Sequence, residues 1–274
     1  MNPPVALTIA GSDPSGGAGV QADLKTFAAH RVYGTSVLTA LTAQNTTGVS
    51  AVHLPPIGFL IEQLDAVLSD LTVNAVKTGM LANAATVAAV AERASVGALP
   101  NLVVDPVMVA TSGDRLLEVD AEAAYLEELF CHAVVITPNV HEAGLLLGWT
   151  LRNVEDLADA ARELHRFGSA LVVVKGGDLP DGDIALSIDA LYDGHSITLL
   201  QAPRVPTANT HGTGCTFSAA IAAGLAAGHP PYDAISNAKA YVTRALQGGA
   251  TWRLGSGRGP LNHFDQHAAP LPNR

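Results

Sequence analysis

The sequence predicts an α/β fold built on a mostly parallel sheet. Three observations carry this reading: short β-branched and apolar runs recur along the chain, amphipathic Ala-rich stretches separate them, and glycines gather where the runs lead into the stretches. Several runs, such as Leu102-Val103-Val104 and Leu171-Val172-Val173-Val174, are apolar without a break. Parallel strands covered by helices on both faces require that pattern.

In chain order, a strand over 5–10 leads to a helix over 17–30, a strand over 35–42 to a helix over 57–69, and a strand over 73–77 to a helix over 83–96. A strand over 101–105 precedes a helix over 120–129, a strand over 133–137 precedes helices over 140–147 and 153–167, and a strand over 170–175 closes the parallel set. Segments 187–193 and 196–201 flank Asp193-Gly194, a pair that tolerates positive φ, so they predict a hairpin and an antiparallel edge. Helices over 213–227 and 231–247 complete the pattern, and the tail after Gly255 reads as loop. No repeat, charge block or Pro/Ser-rich linker divides residues 1–274, so one domain is expected.

Composition removes several function classes. With 48% hydrophobic and only 15% charged residues, the chain can bury enough apolar surface to exclude disorder. Its 15 Lys+Arg against 25 Asp+Glu give a net charge of −10, so no basic field exists to attract nucleic acid or an anionic membrane. Cys131 and Cys215 are the only cysteines, which excludes a disulfide framework and a Cys-based zinc site. The opening Met1-Asn2-Pro3-Pro4 lacks the basic and apolar regions of a signal peptide, and the apolar run Cys215 to Gly228, at 14 residues, falls short of the roughly 20 that span a bilayer. A cytoplasmic location is expected.

Ligands of such a sheet sit beyond the carboxyl ends of its strands, so the loops there are the places for chemistry. Gly11-Ser12-Asp13-Pro14-Ser15-Gly16-Gly17-Ala18-Gly19 follows the first strand and opens a helix, where glycines let backbone amides approach a ligand. It is neither a Walker A loop nor a dinucleotide fingerprint, and in isolation it fits equally a tight turn capped by Asp13 or Ser15. Asn209-Thr210-His211-Gly212-Thr213-Gly214-Cys215-Thr216 carries the strongest signal. Its small residues allow successive amides to converge into an anion hole suited to a transferring phosphoryl group. Cys215 then falls in the first helical turn, where the helix end favours thiolate; the plain alternative is a small buried hydrophobe.

Two acidic loop positions complement the anion hole. Asp105, fixed by Pro106, and Glu142, in Asn139-Val140-His141-Glu142, can together hold Mg²⁺ through its waters beside substrate phosphates. Singly, Asp105 is better read as a turn cap and Glu142 as a complement to a helix dipole; jointly, beside an anion hole, they read as a metal-phosphate site. Lys175, followed by Gly176-Gly177, is placed to reach phosphate oxygens, or else to snorkel at the surface. Lys77-Thr78-Gly79-Met80 shares that topology, and Gln44 in Gln44-Asn45-Thr46-Thr47 can offer a donor and an acceptor to a heterocycle edge. No GxSxG elbow, HExxH or histidine cluster supports a hydrolase or zinc enzyme.

Taken together, Ala10-Gly-Ser-Asp-Pro-Ser-Gly-Gly-Ala-Gly, Thr42-Ala-Gln-Asn-Thr, Lys77-Thr-Gly-Met, Val104-Asp-Pro-Val-Met-Val-Ala-Thr-Ser-Gly-Asp, Thr137-Pro-Asn-Val-His-Glu-Ala, Val174-Lys-Gly-Gly and Asn209-Thr-His-Gly-Thr-Gly-Cys-Thr resemble the hydroxymethylpyrimidine/phosphomethylpyrimidine kinases of thiamine biosynthesis, within the ribokinase-like superfamily. The resemblance implies a ribokinase-like three-layer α/β/α sandwich that uses ATP and Mg²⁺. Its acceptors would be 4-amino-5-hydroxymethyl-2-methylpyrimidine and then the monophosphate of that alcohol; a pyridoxal or pyridoxine kinase of the same fold is the alternative. It further implies that Gly11, Asp23, Gln44, Met80 and Val107 line the pyrimidine pocket, that Lys175, Gly176, Thr210, Gly212, Thr213 and Gly214 face ATP phosphates, and that Asp105 and Glu142 organise magnesium. Cys215 stands where sugar kinases of the superfamily place an aspartate base, and as thiolate it would take the hydroxyl proton in the first reaction, with Lys175, Gly212 and Gly214 completing the catalytic set. Segment 109–114 reads as a flap, with Ala110 and Thr111 where pyridoxal-phosphorylating relatives commonly carry a cysteine. Pro14, Ser256 and Arg258 depart from the family pattern, whose tail often reads Gly-His-Gly. Family members often form homodimers.

Overall fold

The computed structural model describes residues 2–109, 116–118, 121–180 and 185–264. In chain order the elements are β1 (Val5–Ser12), α1 (Gly19–Ala29), β2 (Tyr33–Asn45), β3 (Gly48–His53), α2 (Ile57–Asp70), β4 (Ala75–Thr78), α3 (Ala84–Ser95), β5 (Val103–Val104), α4 (Ala121–Ala124), β6 (Val135–Ile136), α5 (Val140–Leu147), α6 (Val154–His165), β7 (Leu171–Val174), β8 (Leu186–Tyr192), β9 (Ile197–Pro203), α7 (Thr213–Ala226) and α8 (Pro231–Gly249). Where a single helix over 120–129 was expected, α4 lasts one turn and widens into a π turn, Tyr125–Leu129, before a 3-10 turn, Phe130–His132. All but Val109 of the expected flap lies outside the described residues.

The nine strands form one sheet in the order β3-β2-β1-β4-β5-β6-β7-β8-β9. β2, β1, β4, β5, β6 and β7 are mutually parallel, while β8 and β9 add the expected antiparallel edge. A second antiparallel edge was not anticipated: β2 runs on through Gln44 and Asn45, and the chain doubles back as β3. Asn45 makes this turn by accepting from the backbone and hydroxyl of Thr47 at 2.8 and 2.6 Å.

Side chains alternate across the strands and so build two apolar layers. Leu7, Ile9, Val76, Val104, Ile136, Val172 and Val174 pack with Leu60, Leu64, Val87, Val90, Leu157 and Leu164 of α2, α3 and α6. Their neighbours Ala6, Ala75, Val103, Val135 and Val173 face the other way, against Phe27 of α1, Ala219 and Ala223 of α7, and Ala238 and Val242 of α8. From Thr216 to Ala226 every residue of α7 is buried, so its apolar run serves as a core helix. Among the described residues no helix is long and apolar enough to cross a membrane. The helices start where the sequence supplies caps: Asn139 with Glu142 and Asn153 with Asp156 form capping boxes, and Asn83 caps α3.

Because β1 leads to β2 on one side and the chain then crosses to β4 on the other, the sheet has its switch point between β1 and β4. All six parallel strands direct their carboxyl ends to the same edge.

Candidate active site

A groove of about 1360 Å³ follows that edge. In strand order it is lined by Gln44 at the end of β2, Gly11 at the end of β1, Met80 after β4, Asp105 and Val107 after β5, Glu142 after β6 and Lys175 after β7; Gly212, the N-cap of α7, and Thr213, Gly214 and Cys215 of its first turn line it from the other side. At the β1–β4 end the wall is apolar. Met80 packs with Ala40, Ala82 and Val107, and a Cβ at Gly11 would lie 3.1 Å from Met80 Sδ. Gln44 supplies the polar edge of this end, its Oε1 3.1 Å from Thr42 Oγ1.

At the centre, Asp105 Oδ1 accepts from Lys175 Nζ at 2.8 Å and from Thr137 Oγ1 at 3.0 Å, while Ser218 Oγ donates to Oδ2 at 3.2 Å. Burial alone pushes the Asp105 carboxyl up, but the ammoniums of Lys175 and Lys77 and the bonds from Lys175 and Thr137 outweigh it and hold it below the ordinary range. Glu142 is also buried. Its Oε2 accepts from the Asn139 amide at 2.7 Å, and burial lifts its pKa to about 7 despite the attraction of Lys175. The helix-start role and the groove-facing position therefore coexist in this residue.

The start of α7 meets this centre closely. A Cβ at Gly214 would lie 3.1 Å from Lys175 Nζ, and Gly212, at φ +86°, packs so tightly on the Gly17 carbonyl that any side chain would overlap it. The amides of Gly214 and Cys215 fall in the first turn, whose N–H groups lack intrahelical acceptors. Thr210 lies at the rim, its carbonyl accepting from Thr213 Oγ1 at 2.7 Å. The expected thiolate at Cys215 is corrected: burial pushes the thiol up to about 11, only partly opposed by the Lys77 ammonium and the Gly19 amide. A helix N-terminus cannot offset that desolvation, with Asp23 and Asp105 adding negative charge nearby.

Two further expectations meet a different arrangement. Asp23, on α1, is fully buried, accepting from Thr8 Oγ1 at 2.6 Å and from Lys77 Nζ at 2.9 Å, and it is not among the groove-lining residues. Gly176 is likewise set back, because its amide donates to Asp189 Oδ1 at 3.0 Å and its Cα packs on the Ile188 carbonyl; Gly177 lines the groove in its place.

Asp13 caps its loop as one reading of it expects, but several long-range contacts at the site carry no sequence signal. Asp13 gathers the loop after β1 by accepting from Ser15, Gly17 and Ala18 and pairs with His211 Nε2 at 2.8 Å, tying that loop to the 209–214 loop. Burial raises this carboxyl, but the bonds from His211, Ser15 and Ala18 prevail and bring it to about 2. Lys239 of α8 reaches Asp189 Oδ2 at 2.7 Å and Ser187 Oγ at 3.0 Å, securing the ledge beneath Gly177. The tail is ordered against the site: His211 N–H donates to Gly259 O at 3.0 Å, Arg258 N–H to Thr46 O at 3.1 Å, and His263 Nε2 lies 2.8 Å from Thr216 Oγ1.

Residues 13–262 match the family model described as Phosphomethylpyrimidine kinase. The chain is 51% identical over 261 residues to a Hydroxymethylpyrimidine/phosphomethylpyrimidine kinase of Rhizobium meliloti, covering 95% of this chain and 97% of that one. It is 49% identical over 258 residues to a Thiamine biosynthesis bifunctional protein ThiED of Geobacter sulfurreducens, covering 94% of this chain; the chain spans about half of that longer relative, 52% of its length. Among solved structures, a Staphylococcus aureus pyridoxal kinase in complex with AMP-PCP and pyridoxal superposes with a TM-score of 0.87 at 36% identity, covering 97% of this chain and 96% of that one. With the ribokinase-like sandwich, the ordered motif loops and a family model that spans residues 13–262, the chain belongs to the phosphomethylpyrimidine kinase family.

Proposed function

We propose that the protein transfers the γ-phosphoryl group of ATP to the 5-hydroxymethyl oxygen of 4-amino-5-hydroxymethyl-2-methylpyrimidine, and then to the phosphate of the monophosphate so formed. The diphosphate product serves thiamine diphosphate biosynthesis. One observation carries this reading: the Lys175 ammonium, braced on Asp105 beside Gly214, shares a single groove with the apolar Met80 and Val107 wall and the Gln44 amide.

In-line phosphoryl transfer asks little covalent chemistry of a protein and much positioning and charge stabilisation. Lys175 and the amides of Gly212, Thr213 and Gly214 hold the transferring phosphate, with Thr210 at the rim and Gly177 giving the nucleotide room. Asp105 and Glu142 suit Mg²⁺ held partly through its own waters: among the described residues no group of three or more His, Cys, Asp or Glu forms a closed cage, and Mg²⁺ needs only one or two carboxylates besides phosphate oxygens. When bound, the ion neutralises charge on the transferring group.

Gln44 is oriented by a simple constraint. Thr42 has one hydroxyl proton, and Ser12 O lies 2.8 Å from Thr42 Oγ1. The end of the Gln44 amide that faces Thr42 is then best its NH₂, leaving the oxygen to accept from the ring's amino group. Cys215, as a neutral thiol, shapes the floor under the acceptor oxygen.

The test is phosphorus NMR of products after incubation with ATP, Mg²⁺ and the hydroxymethylpyrimidine. A diphosphate product supports the reading, and no phosphorylated pyrimidine rejects it. The resemblance to pyridoxal kinases adds a second arm, pyridoxal as acceptor; faster turnover there than with the pyrimidine would favour that alternative.

A further inference from the structure

We infer that Arg258 binds the phosphate of the phosphorylated acceptor and so sets the preference for the second substrate over the first. This rests on the two-step reading above. A side pocket of about 380 Å³ opens beside Gln44, between residues 44–47 of the β2–β3 hairpin, His211 and residues 257–258 of the tail. Among the described residues, no Asp or Glu lines it. Arg258 belongs both to this pocket and to the main groove, and its guanidinium donates to Thr210 Oγ1 at 3.3 Å, at the rim of the anion-hole loop.

Among the described residues, the other lysine and arginine side chains of the groove already have carboxylate or carbonyl partners. Lys77 pairs with Asp23, Lys175 with Asp105 and Lys239 with Asp189, while Arg204 donates to the carbonyls of Gly177 and Leu186. Arg258 has five N–H donors in a planar fork, and the hydroxyl of Thr210 engages it only at one nitrogen. That fork matches a phosphate dianion bidentately. Its backbone is braced from two sides: Arg258 N–H and Gly257 N–H donate to Thr46 at 3.1 Å each, and Gly259 O accepts from His211.

The two acceptors differ by one phosphate. In the second reaction that phosphate must lie between the ring, held near Gln44 and Met80, and the γ-phosphate, held at Lys175 and Gly214. Arg258 lines the side pocket with Gln44 and reaches Thr210, in the loop that leads into Gly214. The alcohol of the first reaction offers it no anion.

The experiment measures steady-state kinetics of each step separately, with the purified alcohol or the purified monophosphate as acceptor, for wild type, Arg258→Ala and Arg258→Lys. In Arg258→Ala the ratio of kcat/KM for the monophosphate to that for the alcohol is expected to fall roughly tenfold to hundredfold, carried by the monophosphate KM, as loss of a hydrogen bond to a charged group implies. Arg258→Lys restores part of it by keeping the charge without the fork. An unchanged ratio, or a rise in KM for ATP that accounts for the loss in both steps, overturns the assignment. Wild-type protein that phosphorylates neither acceptor overturns the two-step reading as well.

Discussion

Lys77 lies near the end of β4 and Lys175 immediately follows β7, and each pairs with an aspartate from a different element, Asp23 at 2.9 Å and Asp105 at 2.8 Å. Neither side chain of the first pair has any solvent exposure, whereas Lys175 keeps 14%. Thr8 and the two lysine contacts satisfy Asp23 from within the protein, so that pair is a sealed brace between α1 and β4. Both lysines line the groove, but Lys175, beside Gly214, is the one that keeps solvent exposure and so can meet a phosphate oxygen. A Lys–Asp pair thus recurs near the ends of two parallel strands, fully buried in one place and, in the proposed function, set to meet phosphate in the other. Closure by α1 makes the difference.

The largest expected effect breaks the sealed pair. Lys77→Met should destabilise the fold by about 3–5 kcal/mol in denaturant unfolding, because it strands the Asp23 carboxylate without its cation. Adding Asp23→Leu should recover most of that loss. A single variant as stable as wild type would mean the pair is not the brace described here.

A smaller effect concerns a second seal, where His263 lies over the first turn of α7. Burial depresses its pKa from 6.5 to about 4, with Lys25 adding a smaller push in the same direction. The unfolded chain therefore binds a proton first as the pH falls, and stability present above pH 6.5 is lost progressively down to about pH 4, on the order of 3 kcal/mol. His263→Gln should flatten the stability profile across that window relative to wild type. Identical slopes would remove His263 from the account.

The smallest effect concerns Cys215, beside both lysines. A general base is worth about 10²–10⁴-fold, so with its thiol protonated Cys215→Ala should lose less than about 10²-fold, and equally in the two phosphorylations. In a Cys131→Ser background, alkylation of Cys215 should accelerate with pH toward a midpoint of about 11. A midpoint near neutrality would restore the thiolate.

The sheet was legible because its central strands are unbroken apolar runs and its loops concentrate glycine. β3 was not, since Gly48–His53 is an edge strand with no fully buried residue and so no apolar run to reveal it. Helix starts at Asn139 and Asn153 were readable from their caps, while the early end of α4 follows from a π turn that leaves no local mark. At the site, Gly212 and Gly214 announced themselves because close approach demands glycine. Asp13 and His211, 198 residues apart, carry no spacing signal for their contact, and Lys239 meets Asp189 only through tertiary packing. The thiol of Cys215 shows the limit of reading charge from position alone, because desolvation is a property of what packs around a helix end.

The comparison between the two lysines is tested most directly by one paired measurement on Lys175→Met: kcat with saturating substrates alongside the midpoint of unfolding. The account predicts a fall of about 10²–10³-fold in kcat, the scale of losing one donor to a developing charge. The midpoint should move less than in Lys77→Met, because Thr137 still donates to Asp105 and the Lys77 ammonium still acts on it. Wild-type kcat, or a loss matched by an unfolding shift as large as that of Lys77→Met, would contradict it.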